Sequence, residues 1–212
     1  QGQVGPIIVA DNVDSVPFRQ GRTAEMMVSE VHGRYSEQVN RGNCYLASTA
    51  SAGLALLVPA TTGNHPTLWN PQSSGVNINI LGLWIGYVSG TPAAFGLEWA
   101  VTNNAGNQIG PTGAPILTFT RVAVTAALAG GPVNGKAQWA PAVNTYTAAP
   151  TFVATIGIGS LVTAAIVPFP QWYIDYGGGL GIAPNTALSL CAQQATTTAV
   201  LQATILYEEI PV

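Results

Sequence analysis

Few side chains in this 212-residue chain could carry out chemistry, and their spacing leaves most of them without a partner. There are two histidines, His32 and His65. Nucleophilic catalysis needs a base beside the nucleophile and a third group to hold that base. No Gly-x-Ser-x-Gly stretch occurs, so both histidines read as loop or interface residues. Paired carboxylates would suit glycoside hydrolysis. Beyond residue 42 the carboxylates are Glu98, Asp175, Glu208 and Glu209. Glu208 and Glu209 are adjacent, so on a strand they point to opposite faces and cannot act as a pair. Glu98, between Leu97 and Trp99, reads as half of an ion pair at an interface, with Arg121 or Lys136 opposite. Asp175 precedes Tyr176 and three glycines, where Asp is an ordinary turn former.

Phosphate-loop and metal chemistry find no better footing. Gly177-Gly178-Gly179-Leu180-Gly181 lacks a Lys-Ser/Thr pair and a following helix, and Gly157-Ile158-Gly159 lacks its third glycine. Both read as turns. Cys44 and Cys191 have no metal-ligand spacing and read as two buried free thiols. With no cluster of metal-binding side chains, no metal and no cofactor is expected. Six basic residues and a pI near 5.1 give no footing for nucleic acid.

Charge is scarce and unevenly placed. Charged residues make up 7% of the chain, against about 25% in ordinary soluble domains. Residues 1–42 hold nine of the fifteen: Asp11, Asp14, Arg19, Arg22, Glu25, Glu30, Arg34, Glu37 and Arg41. Five acids against four arginines leave this segment at −1, unlike the block of positive charge that neutralises packaged nucleic acid. It reads as an extended arm that pairs with a neighbouring protein chain. Residues 23–32 fit a short helix or, preferred here, a strand leading into Tyr35 and Val39. The remaining body is so neutral that much of its surface is expected to face other protein. No signal-peptide pattern opens the chain, and Gln1 suggests a trimmed start. The eighteen uncharged residues 152–169 are broken by Gly157 to Ser160 into strand-length pieces, so no membrane span is expected.

The body is patterned for strands. Residues 44–49 and 54–58 read as a hairpin about residues 50–53. Residues 59–75 read as a loop carrying His65 and Trp69. Residues 76–80 alternate strictly, and 81–88 are apolar on both faces, as in a sandwich whose outer side meets a partner. Strands follow over 94–102, 116–127, 152–156 and 161–167, with turn-rich residues at 103–113. The long stretch 128–150 has weak periodicity, and Trp139 to Val143 is its candidate contact with a neighbour. Residues 186–193 and 199–208 alternate with period two around the polar 194–198, like a closing hairpin. Phe169, Trp172, Tyr173 and Tyr176 lie within eight residues of one another and suit a core or subunit interface, with stacking on sugars as the alternative. The expected class is all-β: residues 43–212 as an antiparallel two-sheet jelly-roll sandwich, with residues 1–42 as its extended N-terminal arm.

The ending carries a resemblance. Ile182-Ala183-Pro184-Asn185 through Leu190, then residues 199–210 with Tyr207-Glu208-Glu209-Ile210-Pro211, resemble the last two strands of single jelly-roll proteins in tailed-phage virions. These include capsid decoration (cement) proteins and trimeric tail-fibre heads. The resemblance implies a homotrimer with apolar strand faces buried between subunits, and an arm that reaches onto the shell or a neighbouring trimer. It implies a non-enzymatic structural protein on the capsid surface, made in the host cytoplasm and bound to the major capsid protein or other virion proteins. The arm residues Arg19, Arg22, Glu25, Glu30, Arg34, Glu37 and Arg41 are then its contact residues, with Trp139, Trp172 and Tyr173 in the body. A glycan-binding fibre head, using the Trp172 region or the Trp69 loop, is the alternative, and a major coat protein the third.

Overall fold

The computed structural model describes residues 34–90, 95–103, 125–131, 134–146, 148–159, 172–194 and 199–212. The chain divides into two units, Gln1–Glu37 and Gln38–Val212. The second is an all-β antiparallel sandwich.

One sheet holds β1 (Cys44–Ser48), β4 (Val76–Ser89), β6 (Thr125–Ala126), β10 (Trp172–Ile182) and β12 (Val200–Pro211). Its strands lie in the order β10-β4-β12-β1-β6. The other holds β3 (Thr67–Asn70), β5 (Phe95–Asn103), β7 (Gln138–Ala140), β9 (Thr151–Gly159) and β11 (Thr186–Ala192), in the order β7-β3-β11-β5-β9. A small separate pair joins β2 (Thr62–Asn64) to β8 (Val143–Thr145).

Period-two alternation decides which side chains meet in the core. From the first sheet come Tyr45, Ala47, Ile78, Ile80, Leu83, Ile85, Leu201, Ala203, Ile205 and Tyr207. The second contributes Leu68, Leu97, Trp99, Trp139, Leu188 and Leu190. The change from even to odd positions along β4 has a local cause. Tyr207 pairs with Ile80 but Leu206 with Gly82, so Leu81 is an extra bulged residue that swaps the faces beyond it. Beyond it the outward residues are Gly82, Trp84 and Gly86, so residues 81–88 look apolar on both sides.

The two sheets are also pinned by hydrogen bonds across the core. Trp139 Nε1–H donates to the Ser48 carbonyl at 2.8 Å, and Trp99 Nε1–H to the Tyr176 hydroxyl at 2.8 Å. Asn70 Nδ2 donates to the carbonyls of Val76 (2.8 Å) and Ile182 (3.0 Å). Trp99 and Trp139 therefore each contribute a large apolar area with their one polar atom satisfied.

Several pairings differ from the sequence reading. Residues 186–193 and 199–208 do form strands, but not a hairpin. β11 pairs with β3 and β5, whereas β12 pairs with β4 and β1, so the chain crosses from one sheet to the other. Residues 54–58 likewise do not fold back on β1. Leu54 exchanges backbone hydrogen bonds with Leu201 of the first sheet, and the Leu57 carbonyl accepts from Ala192 of the second. This segment is a crossover rather than a strand of a hairpin. The expected loop at 59–75 contains β2 and β3, and Trp69 is buried. The expected turn at Gly177 lies inside β10. There the pairing jumps between Asp175 and Leu180, with Gly177 and Gly178 at positive φ (58° and 83°). Residues 36–40, read as the continuation of a strand, form the short helix α1 (Ser36–Asn40) instead. Gly42, at φ 76°, ends it by donating to the Val39 carbonyl. The expected features at 23–32 and 161–167, and residues 104–113 of the expected turn-rich stretch, lie outside the described residues, while Asn103 ends β5.

Candidate functional site

Behind the second sheet, on the side away from the core, the structure gathers the polar side chains that the sequence scatters. Leu68, Leu188 and Leu190 face the core, so Thr67 and Ser189 face the opposite way. β8 and the residue after it lie over them. Tyr146 Oη is hydrogen-bonded to the Thr67 hydroxyl and, at 2.9 Å, to the Ser189 hydroxyl. Thr67 and Ser189 also share a bond of 3.0 Å. Asn144 Nδ2 donates to Thr67 Oγ1 (3.1 Å) and to the His65 carbonyl. All five residues are buried, which makes this a third layer sealed onto the sandwich by a polar network.

The network contains a serine, a tyrosine and a histidine, yet its geometry is not that of a nucleophilic site. Ser189 meets two hydroxyls and, among the described residues, no base. His65 turns the other way. Its Nε2 lies 2.8 Å from the Val58 carbonyl, which requires the proton on Nε2, and Nδ1 has no hydrogen-bond partner among the described residues. Burial lowers its pKa despite the Val58 carbonyl, so the ring is neutral at pH 7. Burial pushes the Tyr146 hydroxyl up to about 12, against the opposing effect of its bonds to Ser189 and Thr67. The network holds the layer down and is closed to a substrate.

Both thiols are free and buried, as read from the sequence. Burial, then the nearby Glu98 charge, pushes Cys191 up to about 12; burial, then Glu208, pushes Cys44 up to about 11. At neutral pH neither is the thiolate that nucleophilic or metal chemistry requires. No group of three metal-binding side chains occurs among the described residues.

The carboxylates separate as strand alternation demands. Glu209 points inward and is 7% exposed, while Glu208 faces out. Glu209 Oε1 and Oε2 accept from the Lys136 backbone N–H at 2.8 and 2.9 Å, and Oε1 also accepts from Ala137 N–H at 2.8 Å. Because β12 belongs to one sheet and residues 136–137 lead into β7 of the other, this carboxylate clamps the sheets together. The expected role of Lys136 opposite Glu98 is thus not what places residue 136, and Arg121 lies outside the described residues.

Glu98 is 8% exposed, and burial raises its pKa. A carboxyl whose folded pKa is raised destabilises the fold while ionised, and this penalty fades as the pH falls through the folded pKa. Glu98→Gln should therefore raise the urea midpoint at pH 7, with the gap to wild type narrowing towards pH 4. A gap that stays constant with pH would show that ionisation is not the cause.

The residues singled out as contacts fall into three groups. Arg19, Arg22, Glu25 and Glu30 lie outside the described residues. Arg34 sits 5.3 Å above the Tyr35 ring, Glu37 is in the first turn of α1, and Arg41 follows that helix. In the body, Trp139 is corrected: it is 1% exposed and belongs to the core, because β7 pairs with β3 and turns the indole inward. Ala142 and Val143, at the end of that stretch, are exposed. Trp172 pairs through its backbone with Ile85, and Tyr173 is 48% exposed.

Among the described residues, the strand that exposes two large apolar side chains is one the sequence reading did not single out as a contact. β9 is the edge of the second sheet, and Phe152 (54%) and Val153 stand exposed beside Thr151 and Thr155. The pairing with β5 slips twice, leaving Val153 and Ile156 as extra residues. Such bulges commonly mark an edge that is shaped rather than left flat. Nothing in the residue pattern of 151–159 separates an edge strand from a central one, which is why the sequence did not point here. Compared with protein-family models, curated proteins and solved structures, the chain matches none.

Proposed function

We propose that this chain is a non-enzymatic structural subunit of a virus particle, a decoration protein that reinforces a phage capsid through contacts with its own copies and with the shell. One observation carries the reading. Among the described residues of the body, Ser189, His65 and Glu209 are buried and hydrogen-bonded to other segments of the fold, and Cys44 and Cys191 are buried free thiols, while β9 offers solvent an uncharged apolar edge. A surface of this kind suits adhesion.

The strand order supports the jelly-roll part of the proposal. Taken along the chain, β1, β3, β4, β5, β9, β10, β11 and β12 fall in the first, second, first, second, second, first, second and first sheets. The neighbours β1-β12-β4-β10 and β3-β11-β5-β9 are those of two interleaved Greek keys. The proposed assembly is a homotrimer, with the balanced charges of residues 11–41 making contacts between subunits or with the shell. No helix among the described residues is long and apolar enough to cross a membrane.

Add-back to phage heads stripped of this protein tests the proposal. The full chain should bind the heads and restore their resistance to heating. A chain lacking residues 1–42 should keep its sandwich, since β1 starts at Cys44, but lose binding by at least about tenfold. Failure of the full chain to bind heads would overturn the proposal; undiminished binding by the shortened chain would remove the arm from it.

A further inference from the structure

The outer face of the first sheet carries an arrangement that the structural role does not use. Beyond the Leu81 bulge, Leu83 and Ile85 face the core, so Gly82, Trp84 and Gly86 form a row on the outside. Tyr173 of β10 pairs with Trp84 and lays its ring over Gly82. A Cβ on Gly82 would come within 2.9 Å of Tyr173 Cε2, so only glycine lets the ring lie down there. The Tyr173 and Trp84 rings are 5.0 Å apart and inclined by 35°. The site of the next side chain in the row is empty: a Cβ on Gly86 would have nothing within 4 Å. Across the strand from Gly86 stands the exposed amide of Gln202, and across from Trp84 stands Thr204, whose hydroxyl bonds Ser48 Oγ at 3.0 Å.

We infer that this face binds a neutral saccharide, with one pyranose ring against Tyr173 and Trp84 and Gln202 reaching its hydroxyls over the recess at Gly86. Three features point to this class of ligand. Two inclined aromatic rings on a rigid sheet offer apolar surface matched to the C–H face of a sugar. A primary amide supplies both a donor and an acceptor, which is what vicinal hydroxyls require. Tyr173, Trp84, Gly86, Gln202 and Thr204 carry no charge, and the next outward residue on β10 is Asp175, whose carboxylate disfavours an anionic sugar. A hydrophobic peptide would have no use for the amide, and a phosphate would find no cation in this row. The inference stands apart from the decoration role and does not rest on it.

Saturation-transfer NMR on the full chain tests it, with the methyl glycosides of glucose, galactose, mannose and N-acetylglucosamine at millimolar concentration. At least one should receive magnetisation and bind with a millimolar Kd. Tyr173→Ala should weaken that binding at least about tenfold. Gly86→Val should do the same by filling the recess, and should leave the thermal midpoint unchanged because its side chain enters open space. Silence from all four glycosides, or equal binding by Gly86→Val, would overturn the inference.

Discussion

Replacing Trp139 by alanine is expected to lower the free energy of unfolding by about 4 kcal/mol, among the largest losses available to a single change in this fold. Two effects add. The indole is 1% exposed and sits in the core with Leu68 and its neighbours, so its removal leaves a cavity. Its Nε1–H is also the donor to the Ser48 carbonyl, which would be left without that bond on the opposite sheet. Urea denaturation checks this directly. If Trp139 docked a neighbouring subunit, as its place in the sequence suggests, the variant would unfold at the wild-type midpoint and lose only assembly.

Glu209→Ala is expected to cost about 3 kcal/mol. The carboxylate accepts three backbone hydrogen bonds from residues 136 and 137, and the Ala137 N–H is buried, so truncation removes charge-assisted bonds and strands a donor. Glu209→Gln keeps one acceptor oxygen and should lose roughly half as much. Hydrogen exchange at Lys136 and Ala137 should accelerate in both variants, more in alanine. Unchanged exchange there would mean that the clamp does not hold the approach to β7.

The same residues show how far the sequence could be read. Alternation in residues 76–80 and 199–208 identified β4 and β12, because a strand's two faces are written into its own order of residues. The opposite facing of Glu208 and Glu209 followed from the same rule, and their different environments bear it out. Partner choice is not written there. β11 and β12 look like a hairpin, yet each pairs only with strands far away in sequence, since a connection between sheets needs no more residues than a turn. Trp139 was misread because three residues are too few to show a period, and β7 has only three. The sealed network was not legible at all: Thr67, Asn144 and Ser189 are ordinary polar residues until folding stacks β8 over β3 and β11. Tyr173 was visible as one of an aromatic cluster, but its seat on Gly82 depends on a register that only the folded sheet reveals.

The central claim is that this neutral sandwich works by associating with copies of itself. Light scattering on the purified chain over a range of concentrations tests that most directly. The account predicts a mass of about 65 kDa, three times the 21.8 kDa chain, persisting on dilution to the micromolar range. A mass of 21.8 kDa throughout would contradict it, and would mean that the uncharged edge at Phe152 and Val153 does not join subunits.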